Sequence, residues 1–168
     1  MFGSGSTSRL IWIEDVVDKI GRSPEMLDFL MIDGAHRVDL FEVVGSNPLA
    51  FGFYIRGVIN AEDAYSRDAK CQLYAGLALI QARQEMDNLR GIYIDVDCLD
   101  NVSRPAYLQL KRDLIDGLFR RIFVPMADAL IGSPVADQDL KSLHQAVGGF
   151  ELLVCRDGEC IPIDIPGL

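Results

Sequence analysis

The sequence predicts an α/β domain with a mainly parallel four-stranded sheet, helices on both faces and an antiparallel edge hairpin. Three observations carry that prediction. After residue 49, short β-branched and aromatic runs alternate with longer helical patterns, as strands joined by crossover helices do. The first run, Ala50 to Ile59, is apolar at nearly every position, which suits a strand covered on both faces. Asp157-Gly158 separates the last two runs, and this two-residue hairpin signal makes the final strand antiparallel.

Ahead of that domain, Met1 to Ser8 is rich in Gly, Ser and Thr and reads as a flexible tail. Residues 9–48 read as a helix-turn-helix-like segment. Ile13, Val16, Val17 and Ile20 have helical spacing, and Gly21 ends that helix. Ser23-Pro24-Glu25 then supplies a cap and a first-turn proline for a second helix, which runs to about Ile32 and ends at Asp33-Gly34. A short strand is predicted over Val38 to Val44, and Gly45-Ser46-Asn47-Pro48 forms the linker.

The α/β domain spans residues 49–168. Its first strand ends at Asn60, and one long helical pattern covers Ala61 to Leu89 until Arg90-Gly91 breaks it. Ile92, Tyr93, Ile94 and Val96 form the second strand, followed by a polar loop from Asp97 to Arg104. Pro105 opens a helix through Leu108, Leu110 and Leu114 that stops at Asp116-Gly117. Ile122-Phe123-Val124 is the third strand. Asp137 is expected to cap a helix to about Val147, Phe150 to Cys155 forms the fourth strand, and Cys160 to Ile165 returns beside it.

Composition narrows the function. The chain has 168 residues, a net charge of −9, 49% hydrophobic residues and 24% charged residues. Binding along a DNA backbone requires Lys and Arg to neutralise phosphates, so this acidic balance argues against it. Residues 1–50 carry four Lys/Arg against eight Asp/Glu, and the second helix offers Glu25, Asp28 and Met31 where a base reader needs Arg, Asn or Gln. No apolar run has the length of a membrane span, and the first residues lack the pattern of a signal peptide, so a cytoplasmic location without membrane contact is expected. The four cysteines contain no CxxC pair and have few histidine neighbours, so neither a metal nor a cofactor is expected. Cys155 and Cys160 flank the hairpin turn and should lie opposite each other.

Arg56 is the one charge in the first strand, and it sits near the carboxyl end, where α/β sheets place their chemistry. The order of signals over residues 50 to 155 resembles the catalytic domain of serine recombinases, the resolvase and invertase family. In that family the first strand ends in Tyr-x-Arg-x-Ser, whose serine attacks a DNA phosphate; Tyr54-Ile55-Arg56-Gly57-Val58 is similar except at the nucleophile. The family's second loop carries an acidic residue and then an arginine before a proline-led helix, as Asp97 and Ser103-Arg104-Pro105 do. Its third strand ends in Asp-Arg-Leu-x-Arg, and here Asp128-Ala129-Leu130-Ile131-Gly132 stands in that place without either arginine. Residues 11 to 34 resemble the MerR-like helix-turn-helix that precedes the catalytic domain in some transposon resolvases.

The resemblance implies a recombinase-like domain whose chemistry is lost. Val58 cannot attack a phosphate, and Ala129 and Gly132 cannot hold its oxygens. The vestigial site is then Arg56, Val58, Asp97, Arg104, Asp128, Ala129 and Gly132, with no catalytic residue expected. Such a chain is expected to work as a binding or regulatory module with a protein partner or a second copy of itself. The alternative is a DNA-recombinase-derived enzyme, or a phosphate- or nucleotide-binding enzyme, that uses Arg56 and Arg104 as the anion site. A flavodoxin-like nucleotide binder is disfavoured because no Gly-rich loop follows the first strand.

Overall fold

The computed structural model describes residues 29–41, 47–59 and 68–168. The tail at 1–8 and the helix-turn-helix reading lie outside the described residues, apart from a 3-10 turn at Phe29–Met31. The described strands are β1 (His36–Leu40), β2 (Phe51–Gly57), β3 (Leu89–Val96), β4 (Arg121–Val124), β5 (Glu151–Arg156) and β6 (Glu159–Ile163). The described helices are α1 (Ala69–Ala82), α2 (Pro105–Ile115) and α3 (Pro134–Val147).

All six strands form one mixed sheet in the order β1-β3-β2-β4-β5-β6. The inner four are parallel, and antiparallel strands close both edges. The sheet is therefore wider than the four strands and single edge hairpin that the sequence suggests. The additional edge is β1, which lies ahead of the linker yet pairs with β3 from His36↔Asp95 to Leu40↔Gly91. Its five residues, HRVDL, bury only Asp39 fully, so the run has too little apolar alternation to reveal the pairing.

The pleat divides the core into two layers. Phe51, Phe53 and Ile55 of β2 join Leu73, Leu77 and Ile80 of α1 on one face. Tyr54 turns to the other face, where Tyr93, Tyr107 and Leu110 meet Leu140 and Leu143 of α3. Helices thus cover both faces of the sheet, and every residue of β2 and β3 is buried.

The long helix expected over Ala61 to Leu89 is shorter where it is described. Asp68 caps α1 by accepting from the backbone N–H groups of Lys70 and Cys71. The helix ends at Ala82, and Gln84 adopts a left-handed backbone (φ 58) before a 3-10 turn at Met86–Asn88. Leu89 and Arg90 then already belong to β3, so Arg90-Gly91 lies within the strand instead of breaking a helix. The cap of α3 also differs from expectation. Ser133 accepts from Ala136 N–H, Pro134 takes the first turn, and Asp137 instead accepts from Gly132 N–H.

Gly76 sets how closely α1 approaches the sheet. A Cβ there would stand 2.1 Å from Cζ of Phe53, a fully buried ring packed on Phe123. Helix propensity favours alanine over glycine by about 1 kcal/mol. Overpacking a tight core contact costs about 1–3 kcal/mol, and here the neighbour is a ring with little room to turn. Gly76→Ala should therefore lower the urea unfolding midpoint. A midpoint equal to or above that of the wild type would show that Phe53 yields and that the approach is not tight.

Candidate functional site

The carboxyl ends of β2, β3 and β4 meet at one corner of the sheet, and two buried arginines organise it. Arg56, the penultimate residue of β2, is 9% exposed. Its Nη1 donates to the carbonyl of Asp97 at 2.9 Å, and Nη2 and Nε donate to the carbonyl of Asp128 at 2.9 and 3.2 Å. One guanidinium thus ties the loop after β3 to the 3-10 turn after β4. The carbonyl of Arg56 accepts from the Gln72 side chain of α1, which fixes the strand end from the other face.

Arg104 lies deeper, at 1% exposure. Its Nε donates to the Tyr54 hydroxyl at 2.9 Å, and its Nη1 donates to the carbonyls of Leu99 and Asn101 at 2.8 and 2.9 Å. The guanidinium also lies 4.6 Å from the centre of the Tyr107 ring and 3.9 Å from an Asp95 oxygen. Carbonyls, a hydroxyl, an aromatic face and a carboxylate thereby surround it from within the fold.

Asp95 is the residue that the sequence reading passes over. It sits in the buried run of β3 at 1% exposure and caps α2 from outside the helix. Oδ1 accepts from Ala106 N–H at 2.9 Å, and Oδ2 accepts from Tyr107 N–H at 2.9 Å and from the Tyr54 hydroxyl at 2.8 Å. The reason for this tertiary cap is local. Arg104 occupies the N-cap position of α2 without a side-chain cap bond, and Pro105 has no N–H, so Ala106 and Tyr107 present the orphan donors. A carboxylate at the positive end of a helix is also favoured by the helix dipole. Burial raises the Asp95 carboxyl above the usual aspartate value, while the bonds from Ala106, Tyr54 and Tyr107 and the Arg104 charge pull it down. Burial and the neighbouring Asp95 charge hold the Tyr54 phenol well above its ordinary value, so Tyr54 remains a donor to Asp95 at neutral pH.

The other predicted residues take separate places. The Asp97 carboxylate folds its own loop by accepting from Cys98 N–H and the Asn101 amide, each at 2.7 Å. Ala129 is 2% exposed within the second core layer. Gly132 has φ +127, a backbone that disfavours any side chain. Val58 is half-buried and lines a shallow cleft of about 250 Å³ with Asp33, Gly57, Ile59, Asp97 and Cys98. That cleft carries two aspartates and no described cation. The structure therefore brings Arg56 against the backbone of Asp97 and Asp128, and sets Arg104 against Asp95 instead of either of them. The signal for Asp95 was present: it is the one acid inside Ile92 to Val96, and a buried charge requires a partner.

Among the described residues, no group of His, Cys, Asp and Glu could hold a metal ion, and every buried side-chain nitrogen or oxygen has a hydrogen-bond partner. No helix among them is long and apolar enough to cross a membrane. No protein-family model, curated protein or solved structure matches the chain.

Removing one member of a buried ion pair leaves the other charge uncompensated, which costs about 3–5 kcal/mol. Arg104→Ala would strand the Asp95 charge and two loop carbonyls, so a loss of that order is expected in denaturant unfolding. A loss below about 1 kcal/mol, the ordinary worth of an exposed pair, would contradict the placement of Arg104 inside the network.

Proposed function

We propose that this chain is a catalytically inactive, serine-recombinase-like domain that serves as a binding or regulatory module for a protein partner or a second copy of itself. The observation that carries the reading is Arg56. Its guanidinium bridges the three stretches that resemble the family's motifs: its own Tyr54 to Val58, the loop that begins at Asp97, and the turn at Asp128. The resemblance therefore concerns residues that share one corner of the sheet, not three unrelated runs of sequence.

The same geometry favours an inactive domain over an anion-binding enzyme. Phosphoryl transfer needs cations aimed at the oxygens on which charge develops. Arg104 is enclosed at 1% exposure, with Nε on the Tyr54 hydroxyl and Nη1 on the Leu99 and Asn101 carbonyls, so a phosphate taking up these donors would have to displace contacts that hold the fold. The positions that correspond to the family's two other arginines are a core alanine and a positive-φ glycine. At Val58, the described cleft is acidic and would repel a polyanion. The net charge of −9 acts in the same direction at longer range.

The test restores the missing groups one set at a time. Wild type, Val58→Ser, and Val58→Ser with Ala129→Arg and Gly132→Arg are incubated with supercoiled plasmid, then assayed for nicks and covalent protein–DNA adducts. None is expected from any of the three. Loss of one stabilising donor costs on the order of 10²–10³ in rate, so the single variant lacks two such factors. The triple variant should lose stability instead of gaining activity, because an arginine at Ala129 would enter the core. Adducts from wild type would overturn the inactive reading. Adducts from Val58→Ser would show that the corner still binds phosphate.

A further inference from the structure

The β5–β6 hairpin holds two thiols that the corner site does not use. Asp157 and Gly158 form its loop with φ of 54° and 77°, the paired positive values of a type I′ turn. Arg156 and Glu159 flank the loop, and the next pair outward is Cys155↔Cys160. In an antiparallel ladder, hydrogen-bonded and non-hydrogen-bonded pairs alternate. The pair that closes a two-residue turn is hydrogen-bonded, so the cysteine pair is not.

Pro162 fixes the same phase independently. It pairs with Leu153, two residues along from the cysteines, and a proline lacks the N–H that a hydrogen-bonded site on this strand would need. In a non-hydrogen-bonded pair the Cα atoms stand roughly 4.5 Å apart with side chains on the same face, inside the range a disulfide spans. Both cysteines are free and half-buried, and both pack against the α1 layer of the core. The remaining cysteines are on other elements: Cys71 in the first turn of α1, and Cys98 exposed in the loop after β3.

We propose that Cys155 and Cys160 are a reversible modification site, forming a cross-strand disulfide by exchange with a small-molecule disulfide such as oxidised glutathione. One protein thiolate attacks a sulfur of the small disulfide, forms a mixed disulfide and expels one thiolate. The second protein thiol gives up its proton, attacks the protein-side sulfur, closes the intramolecular bond and expels the other thiolate. The cysteine pair loses two electrons and two protons, and the oxidised glutathione is reduced to two thiols. Register already sets the two Cα positions, so closure requires rotamer changes and no strand shift. Burial pushes the Cys160 thiol up, so its reactive thiolate is scarce at neutral pH and the exchange speeds up as pH rises. The bond closes a loop of only six residues, so it adds less chain-entropy stabilisation than a bond across a long loop would, and the hairpin is already formed with both thiols free.

Trypsin provides a direct readout, because Arg156 lies between the two cysteines. Complete cleavage puts Cys155 in peptide 142–156 and Cys160 in peptide 157–168. The full chain is incubated with oxidised glutathione, its remaining thiols are alkylated under denaturing conditions, and the digest is weighed. The expected product is peptide 142–156 joined to peptide 157–168, two hydrogens lighter than the separate pair and separated by dithiothreitol. Cys160→Ser should instead retain a glutathione adduct on Cys155, because no second thiol resolves it. Cys71→Ser with Cys98→Ser should form the linked pair as the wild type does. Recovery of both peptides separately, alkylated or as stable glutathione adducts in the wild type, would overturn the proposal. So would linkage of either cysteine to Cys98 or Cys71 as the main product.

Discussion

The corner of this molecule depends on one contact: the Asp95 carboxylate against the first two free N–H groups of α2. A helix that begins Arg-Pro cannot cap itself, so its start is fixed only where a neighbouring strand supplies acceptors. Asp95 supplies them, but a carboxylate at 1% exposure requires compensation in turn. Arg104 and the Tyr54 hydroxyl provide it. The guanidinium then has donors left over, and these gather the carbonyls of the 98–103 loop. Strand, helix start and loop are thus held by a single connected set of charges and hydrogen bonds. Partial loss of such a set is costly, because each remaining member stays buried without its partner.

That arrangement decides what the corner can do. In open α/β sheets, the carboxyl ends of the strands are the usual location of ligand chemistry, because loops there can present donors to a bound group. Here the two arginines at those ends present their donors inward. Arg56 joins two loops through backbone carbonyls, and Arg104 completes a helix cap. What faces outward near Val58 is acidic. A corner with this polarity turns the arginine donors that are engaged toward the fold.

Much of this was legible in the sequence, for identifiable reasons. The four parallel strands stood out because strands buried on both faces read as continuous apolar runs. The hairpin stood out because Asp-Gly permits positive φ at both turn positions, and this also fixed the Cys155–Cys160 register. Two kinds of feature did not show. The place of β1 in the sheet was one: a short strand was expected over Val38 to Val44, but a half-polar edge strand pairs through its backbone, so neither its bounds at His36–Leu40 nor its pairing with β3 showed. The ends of α1 and α3 shifted because caps depend on backbone geometry at Gln84 and Ser133, which side-chain periodicity does not encode. Arg56 stood out as the one charge in a buried strand, and Arg104 as the arginine before a proline-led helix. Their partners were hidden because backbone carbonyls carry no residue signature, and because Asp95 looked like an interruption of a strand when it is a cap for a helix ten residues away.

The most direct measurement is thermal unfolding in rising inorganic phosphate at constant ionic strength, for the wild type and for Arg56→Gln and Arg104→Gln. A ligand that binds the native state raises stability in proportion to RT ln(1 + [L]/Kd). Arginines engaged in holding the fold together predict a wild-type melting temperature independent of phosphate, with both variants melting lower at every concentration. A phosphate-dependent rise in the wild type that disappears in either variant would contradict this and reveal an anion site at the strand ends.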